Sequence, residues 1–236
     1  MSATIFSFIK KRISSVAGKK TLYYPGCMTL HCQSTFFNNY KSLLSDVGIS
    51  FIVIDELTCC GSPLLNAGYA SDFEELKKNN LEILRKNQVS KIITNCPHCY
   101  VVFKKQYGFE VEHITQTLAD HSQKITFKNK EEASYHDPCI LAKQHIIINE
   151  PRKLLKQTGL KLIEPVRTKN KTFCCGAGSG VKQNYPELAN KMAKERLSQF
   201  GSNKIITSCP YCYAHLQENA DNKKKIIELS EALTGH

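Results

Sequence analysis

The chain contains two copies of one cysteine motif, and this repeat restricts its fold more than any other feature of the sequence. Residues 91–100 read KIITNCPHCY and residues 204–213 read KIITSCPYCY, so eight of the ten positions are identical. The segments that follow also correspond, since HITQTLAD from His113 resembles ELSEALTG from Glu228. Self-similarity at a fixed period is typical of a repeated structural unit. The sequence therefore predicts two modules of about a hundred residues each.

Each copy carries five cysteines in the same order, namely a single cysteine, an adjacent pair within a CCG triplet, and a CxxC pair. The three groups are separated by 32 and 36 positions in the first copy and by 35 and 34 in the second, and the two cysteines of each CxxC pair are 3 positions apart. The two sets are Cys27, Cys59, Cys60, Cys96 and Cys99, and Cys139, Cys174, Cys175, Cys209 and Cys212. Cys32 lies outside this register, and we expect it to be an ordinary thiol.

The number of cysteines bears on the redox compartment. There are eleven in 236 residues, an odd number in a chain long enough to build a core without disulfides. The first residues lack a continuous apolar core followed by a small-residue cleavage site, so no signal peptide is expected. We therefore expect a cytoplasmic protein, in which clustered cysteines are metal ligands or redox groups more often than disulfides.

Short β-branched runs alternate with amphipathic helical patterns. Strands are predicted at 51–54, 91–94 and 204–207, and helices at 72–86 and 186–200. Alternating strands and helices favour an α/β fold, here two tandem βα modules with parallel sheets related by a pseudo-twofold axis. Because each CxxC motif directly follows a strand, we expect the metal centres at the carboxyl edges of the sheets.

The chain divides into a basic N-terminal segment, 1–20, a first module, 21–122, and a second module, 131–236, with a polar linker over 121–130. The formal net charge is +11, but five of the positive charges lie in the first twenty residues, and metal-bound thiolates would offset part of the remainder. We therefore expect no nucleic-acid partner. The amphipathic pattern of 1–20 is open to three interpretations: peripheral contact with the inner face of a membrane, docking on a partner subunit, or a frayed terminus.

Five repeating sulfurs favour an iron–sulfur cluster in each copy over zinc, because a structural zinc site takes four ligands. Adjacent cysteines in an extended chain point to opposite faces, which suits a larger inorganic core better than one small ion. The usual cubane run C-x2-C-x2-C-x3-C-P is absent. A thioredoxin-like CxxC acting alone would leave the two CCG triplets unexplained. Zinc stays open as the alternative.

Seven motifs together resemble the cysteine-rich CCG-domain family. This family includes the B-type and D-type components of heterodisulfide reductase and the iron–sulfur subunits of lactate, glycolate and glycerol-3-phosphate oxidising complexes. The resemblance covers roughly residues 22–235. The motifs are YPGC at 24–27, TCCG at 58–61, NCPHC at 95–99, HDPC at 136–139, EPRKLL at 150–155, FCCGAG at 173–178 and SCPYC at 208–212.

The resemblance implies two noncubane 4Fe-4S clusters, each held by one of the two cysteine sets, with a disulfide substrate cleaved between them. It implies a ferredoxin-like iron–sulfur subunit as electron donor, and a flavin subunit in some relatives. The chain would then be an oxidoreductase subunit of the heterodisulfide reductase type. The alternative is an electron-relay subunit between a flavin dehydrogenase and a quinone, without a disulfide substrate.

Three residues near Cys139 are candidates for catalysis. His136 and Asp137 could supply a proton to a departing thiolate, or they could cap a turn and hydrogen-bond the ligand loop. Many relatives carry an arginine after HDPC, and Lys143 takes that place here. Lys143 and Lys182 are also candidates for contact with an anionic substrate.

Overall fold

The computed structural model describes residues 18–235, so most of the basic segment predicted at 1–20 lies outside the described residues. The described chain forms two all-parallel sheets, one of three strands and one of four. Each sheet is built from one copy of the repeat. The predicted α/β class with tandem βα modules is confirmed.

The first module begins with a strand and returns to its sheet twice through helices. Its elements are β1 Lys20–Tyr23, α1 Cys27–Cys32, α2 Ser34–Asp46, α3 Ser62–Ala67, α4 Ala70–Lys86, β2 Val89–Thr94, α5 Pro97–Val102, β3 Glu110–His113 and α6 Ile114–Asp120. A π-helical turn over Phe103–Tyr107 continues α5, and a 3-10 turn over Ser122–Lys124 follows α6.

The second module repeats this order with one additional edge strand. Its elements are β4 Glu132–His136, α7 Asn149–Gln157, β5 Lys161–Leu162, α8 Val181–Asn184, α9 Pro186–Ser198, β6 Lys204–Thr207, α10 Pro210–Asn219, β7 Lys225–Glu228 and α11 Leu229–Thr234. A π-helical turn over Ile140–Gln144 follows β4, and a 3-10 turn over Lys169–Lys171 precedes the second CCG triplet.

The strand orders are β1-β2-β3 and β5-β4-β6-β7, so β2 and β6 occupy equivalent central positions. The strand predicted at 51–54 is wrong in extent, because only Ile52 pairs, in a single parallel bridge to Leu22. Ile52 exchanges both backbone hydrogen bonds with β1, to Thr21 and Tyr23, and the chain then turns away at Asp55. The equivalent β5 is also short, so this edge is weakly paired in both modules.

Each CxxC motif lies at the junction between a central strand and the following helix. Cys96 and Cys209 occupy the N-cap positions of α5 and α10, and a proline fills the first helical position of each. Proline suits this position because its missing N–H would have no intrahelical partner and its φ already matches the helix. The CxxC sulfurs therefore lie at the carboxyl edges of the two sheets, as the sequence predicts.

The two modules share one apolar core. Buried Tyr23, Tyr40 and Ile93 of the first module belong to the same cluster as Tyr135 and Ile206 of the second. Across residues 18–235, no helix combines the length and the apolar composition that crossing a bilayer requires. The shared core fixes the two sheets, and with them the two cysteine sets, relative to each other.

A buried carboxyl group also joins the modules. Glu228 caps α11 by accepting hydrogen bonds from the backbone N–H of Ser230 and from the hydroxyl of Tyr40 in the first module, the latter at 2.6 Å. His113 occupies the equivalent cap of α6, and each cap forms a capping box with the residue three positions on. Burial raises the pKa of Glu228 from 4.5 to about 7, although its hydrogen bonds oppose the shift.

This raised pKa predicts a pH-dependent contribution to stability. The folded chain retains a proton on Glu228 that the unfolded chain releases, so the contribution is complete below pH 4.5 and is lost as the pH rises through about 7. Between pH 4.5 and about 7 we expect the free energy of unfolding of the wild type to fall by about 1 to 3 kcal/mol on account of Glu228. The variant Glu228→Gln should not show this decrease. Denaturant titrations at several pH values measure it.

The quantity to compare is the difference between the wild type and the variant, because burial lowers the pKa of His113 and His136 and so adds a pH dependence of stability that both proteins share. Glu82→Gln, at an exposed position of α4, is the control and should leave the pH dependence as in the wild type. Parallel stability curves for the wild type and Glu228→Gln would contradict the assignment.

Candidate metal centres

The first cysteine set surrounds one cavity. All five of its members line a cavity of about 320 Å³ at the carboxyl edge of the first sheet. Hydrogen-bonding contacts join Cys27 to Cys59 and Cys60 to Cys99, and Cys99 also contacts Cys96. The three groups of the repeat, separated by more than thirty residues in sequence, therefore meet at one place.

The second set is equally compact. Cys139 Sγ lies 3.6 Å from Cys174 Sγ, and Cys175 Sγ lies 3.2 Å from Cys212 Sγ. Cys209 contacts Cys212, which completes the group. The structure thus brings together both sets of five thiols that the repeat singles out. Cys32, the cysteine outside the register, is exposed at the end of α1.

The glycine of each CCG triplet is required by the backbone conformation. Gly61 has φ +89° and Gly176 has φ +88°, a left-handed conformation that other residues rarely adopt. In this conformation each glycine N–H lies 3.4 Å from the Sγ of the first cysteine of its pair, Cys59 or Cys174. An amide donor at this distance stabilises a thiolate, so the triplet supplies both two sulfurs and a hydrogen bond to one of them.

The N-terminus of α10 also favours a thiolate at the second centre. Burial opposes ionisation of Cys209, yet its pKa is lowered because Cys212 and the backbone amides of Tyr211 and Cys212 donate to its sulfur. These amides belong to the first turn of α10, where backbone N–H groups have no intrahelical acceptor. Ionised thiolates are the form of cysteine that binds metals.

The thiols within each set compete for protons. Hydrogen bonds from Cys59 and Cys99 lower the pKa of Cys60 to about 5, whereas hydrogen bonding to Cys60 and burial raise the pKa of Cys99 well above its usual range. In each set three thiols are buried and two are half-buried, and five thiols in contact cannot all ionise without a compensating cation. A metal centre would supply that cation, so the donor sets fit a multinuclear iron–sulfur group.

Glycine again allows close approach beside the first set. A Cβ added to Gly26, which has φ +79°, would lie 3.2 Å from Cys99 Sγ and 3.3 Å from Cys96 Cβ. Only a residue without a side chain leaves this side of the sulfurs open. The residues present therefore fit a bulky inorganic group at this position.

The two sets face each other. The residue between the cysteines of each CxxC motif is His98 in the first module and Tyr211 in the second, and their rings meet at 5.4 Å in an edge-on arrangement. Tyr211 donates a hydrogen bond to Cys27 of the opposite set, and the sulfur of Cys174 lies near His98. This contact between equivalent positions is what a pseudo-twofold axis between the modules requires.

Sequence reasoning missed this contact. His98 and Tyr211 differ in type and lie in different copies, and nothing in either motif signals that the two motifs meet. The only available signal was their shared position in the repeat, because two residues at equivalent positions meet when the twofold axis between the copies passes close to them.

The candidate catalytic residues lie behind the second set or away from it. Asp137 is 1% exposed and forms a two-pronged ion pair with Arg152, with distances of 2.7 and 2.9 Å. A ring nitrogen of His136 lies within 4.8 Å of the Sγ atoms of Cys175 and Cys212. Lys143 is exposed on the turn over 140–144 and does not line the cavity. Separately, Lys182 forms an ion pair with Glu218 at 2.5 Å.

Comparison with known proteins identifies relatives along most of the chain. Residues 21–104 and 133–217 match the model of a family described as a cysteine-rich (CCG) domain. The D-type component of the dihydromethanophenazine:CoB–CoM heterodisulfide reductase of Methanosarcina barkeri is 32% identical, over 90% of this chain and 57% of the relative. The B-type component of the fumarate reductase (CoM/CoB) of Methanothermobacter marburgensis is 30% identical, over 92% and 46%.

A bacterial relative extends the range of named activities. The EtfAB:quinone oxidoreductase of Syntrophomonas wolfei is 29% identical, over 90% of this chain and 34% of its own length. The chain thus spans between about a third and somewhat more than half of these relatives. What is shared is the cysteine-rich region, and the names of the relatives are those of oxidoreductases or their subunits.

The geometry of the CCG triplet predicts the effect of adding one methyl group. A Cβ at position 176 would lie 2.9 Å from the backbone oxygen of Ala189 in addition to adopting an unfavourable φ. We expect Gly176→Ala to destabilise the fold by about 2 kcal/mol or more and to deplete iron from the second site. Denaturant unfolding and iron analysis measure the two effects.

Gly68→Ala is the matched control, because Gly68 has φ +83° but nothing lies within 4 Å of an added Cβ. We expect Gly68→Ala to lower the free energy of unfolding by only about 1 kcal/mol, which is the backbone strain alone, and to leave the iron content unchanged. Equal effects of the two substitutions would contradict the role assigned to Gly176.

Proposed function

This chain belongs to the cysteine-rich CCG domain family, and on that premise we propose that it is the iron–sulfur subunit of a heterodisulfide reductase-like oxidoreductase. In this proposal each set of five cysteines holds one noncubane 4Fe-4S cluster, and a disulfide is reduced between them. Electrons arrive from a ferredoxin-like partner subunit, and a flavin subunit is a further candidate partner. The relatives named above are the basis for the oxidoreductase class.

The observation that carries the proposal is the juxtaposition of two complete cysteine sets. Two centres that only pass electrons to each other would need only to lie close together. Here, in addition, residues of both modules line one cavity. Its lining includes the five cysteines of the first set together with Gly178, Ser179 and Tyr211 of the second module. A cavity beside paired one-electron centres suits a substrate that takes two electrons.

When bound, a noncubane cluster supplies single electrons and iron atoms that accept sulfur. The overall reaction consumes two electrons and two protons for each disulfide and releases two thiols. Residues of this chain join the two modules beside the reacting region: Tyr211 donates to Cys27 of the first module, and Gly178 leaves room for the ring of His98. We propose that His136 and Asp137 act as positioning residues for the loop of Cys139.

Asp137 is suited to positioning because its contacts are already complete. It accepts hydrogen bonds from Arg152 and from the backbone N–H of Lys169, the latter at 2.8 Å. Its backbone carbonyl accepts from Thr172, just before the second CCG triplet. One buried residue thus ties the loop of Cys139 to the segment that carries Cys174 and Cys175.

A second candidate function is favoured by the charge of the cavity. Within the part of the chain that the structure describes, the lining contains no Asp, Glu, Lys or Arg. Besides the five cysteines and His98, its polar groups are amides and hydroxyls, such as those of Asn66, Gln183 and Ser179. A lining that offers no lysine or arginine to an anion suits a neutral acceptor, so electron relay to a quinone is the alternative to disulfide reduction. Peripheral membrane contact through 1–20 would accompany that alternative.

The cluster proposal predicts iron content. We expect the anaerobically isolated chain to bind about eight irons, and Cys27→Ser and Cys139→Ser each to bind about four, because each removes one of the five ligands of one set and should prevent that cluster from forming. Cys32→Ser is the control and should bind the full complement. Elemental analysis for iron and zinc measures this. Stoichiometric zinc with no iron would refute the proposal.

Activity distinguishes the two acceptors. With reduced methyl viologen as donor, we expect the full chain to reduce bis(hydroxyethyl) disulfide, a neutral compound, faster than anionic oxidised glutathione, because the described lining of the cavity offers no cation to an anion. Both Cys27→Ser and Cys139→Ser should abolish the reaction. Reduction of a short-chain ubiquinone analogue, with neither disulfide consumed, would replace disulfide reduction by the relay function.

A further inference from the structure

Resting on the proposed function, we infer that buried Arg196, acting through His136, makes the second cysteine set the more easily reduced of the two centres. The two sets are alike in their sulfurs and in their CCG hydrogen bonds. They differ in the charge that the surrounding protein places behind them. This difference assigns the two centres distinct roles in the transfer of two electrons.

Arg196 is fully buried in α9 and has no carboxylate partner among residues 18–235. Its guanidinium donates to the carbonyl of Arg167 at 2.7 Å, to Gln199 at 3.0 Å and to His136 Nδ1 at 3.0 Å. Its ring neighbour Phe200 lies 4.3 Å away, and Nη2 has no hydrogen-bond partner in the described chain. Burial lowers its pKa to about 10, so it still carries its charge at neutral pH.

An unpaired cation in a protein interior is unfavourable unless an anion lies nearby. Asp137 is the anion that acts most strongly on Arg196, but its carboxylate is already paired with Arg152. The next anions are the sulfurs of the second set, since Cys212 and Cys175 also act electrostatically on Arg196. The charge of Arg196 is therefore available to an anionic group in the second set.

His136 connects the guanidinium to the sulfurs. An arginine nitrogen can only donate, so His136 Nδ1 must accept and the neutral ring must carry its proton on Nε2. His136 Nε2 is buried without a partner among the described residues, while the ring lies within 4.8 Å of the Sγ atoms of Cys175 and Cys212. Nε2–H is thus a free donor beside the second set, polarised by the cation behind it.

The first set lacks this arrangement. Tyr24 occupies the position of His136 in the repeated motif, and its hydroxyl donates to the carbonyl of Thr58 at 2.6 Å, not to a sulfur. Arg196 lies eight residues before Lys204, the first residue of the repeated KIIT motif. The equivalent residue, eight positions before Lys91 in the first module, is the apolar Ile83. The interior behind the first set is therefore neutral at both equivalent positions.

The charge difference determines the order of reduction. An added electron makes a cluster more negative, and a nearby buried cation or hydrogen-bond donor stabilises the reduced state. Exposed Arg167 adds to this effect, whereas Glu164, which also pairs with Arg152, opposes it from the surface. The first electron should therefore reside on the second centre, while the first centre, which lines the cavity, stays the stronger reductant.

The test is a redox titration, followed by electron paramagnetic resonance, of the anaerobically loaded full chain. The Cys27→Ser background isolates the second centre, and the Cys139→Ser background isolates the first. In the Cys27→Ser background, Arg196→Met should lower the ratio of reduced to oxidised cluster at fixed potential by about tenfold, which is about 59 mV for a one-electron couple. In the Cys139→Ser background the same change should have no effect.

Three further variants keep the result interpretable. Arg196→Lys retains the charge and should keep most of the wild-type potential. His136→Leu should lower the potential of the second centre even if Arg196→Met does not fold. Tyr24→Phe, at the equivalent position of the first module, should leave the second centre unchanged.

Unaltered potentials in both Arg196→Met and His136→Leu, or equal shifts of both centres, would overturn the inference and leave the proposed function intact. A wild-type chain that binds no clusters would instead refute the proposed function itself.

Discussion

The structure depends on the crowding of five thiols at the carboxyl edge of each parallel sheet. Sulfur atoms in contact inside a protein cannot all ionise alone, so this packing is stable only with shared protons or with a metal group that replaces them. The glycine N–H of each CCG triplet and the N-terminal amides of α10 provide donors for the ionised form. Two sheets, two left-handed glycines and the N-terminus of α10 serve this single requirement.

The shared core between the modules turns two separate centres into one site. Tyr40 and Glu228 bond across the boundary between modules, and Tyr23 and Tyr135 pack in the same cluster. Because the sheets are fixed in this way, the two CxxC turns meet through His98 and Tyr211. A disulfide or a quinone in this cavity would therefore lie beside the first centre and in contact with residues of the second module such as Gly178 and Tyr211.

Sequence reasoning predicted the parts of the fold that are determined by short stretches of sequence. Strand 204–207 and the start of the helix at Pro186 match the structure because periodicity and proline mark them, and the cysteine sets follow from the repeat. It did not predict the features that depend on how the two modules and their helices pack together. The contact between His98 and Tyr211 arises from the orientation of the modules, and Arg196 reads as one more charge on a polar helix until the fold buries it. The strand at 51–54 shortened because only Ile52 reaches the edge of β1.

The most direct measurement is anomalous diffraction at the iron and zinc edges from crystals of the chain grown without oxygen. We predict two compact groups of iron atoms, one bonded to Cys27, Cys59, Cys60, Cys96 and Cys99 and the other to the equivalent five residues of the second module. A single zinc ion at either position, or a cluster bound by only four cysteines in the usual cubane arrangement, would contradict it.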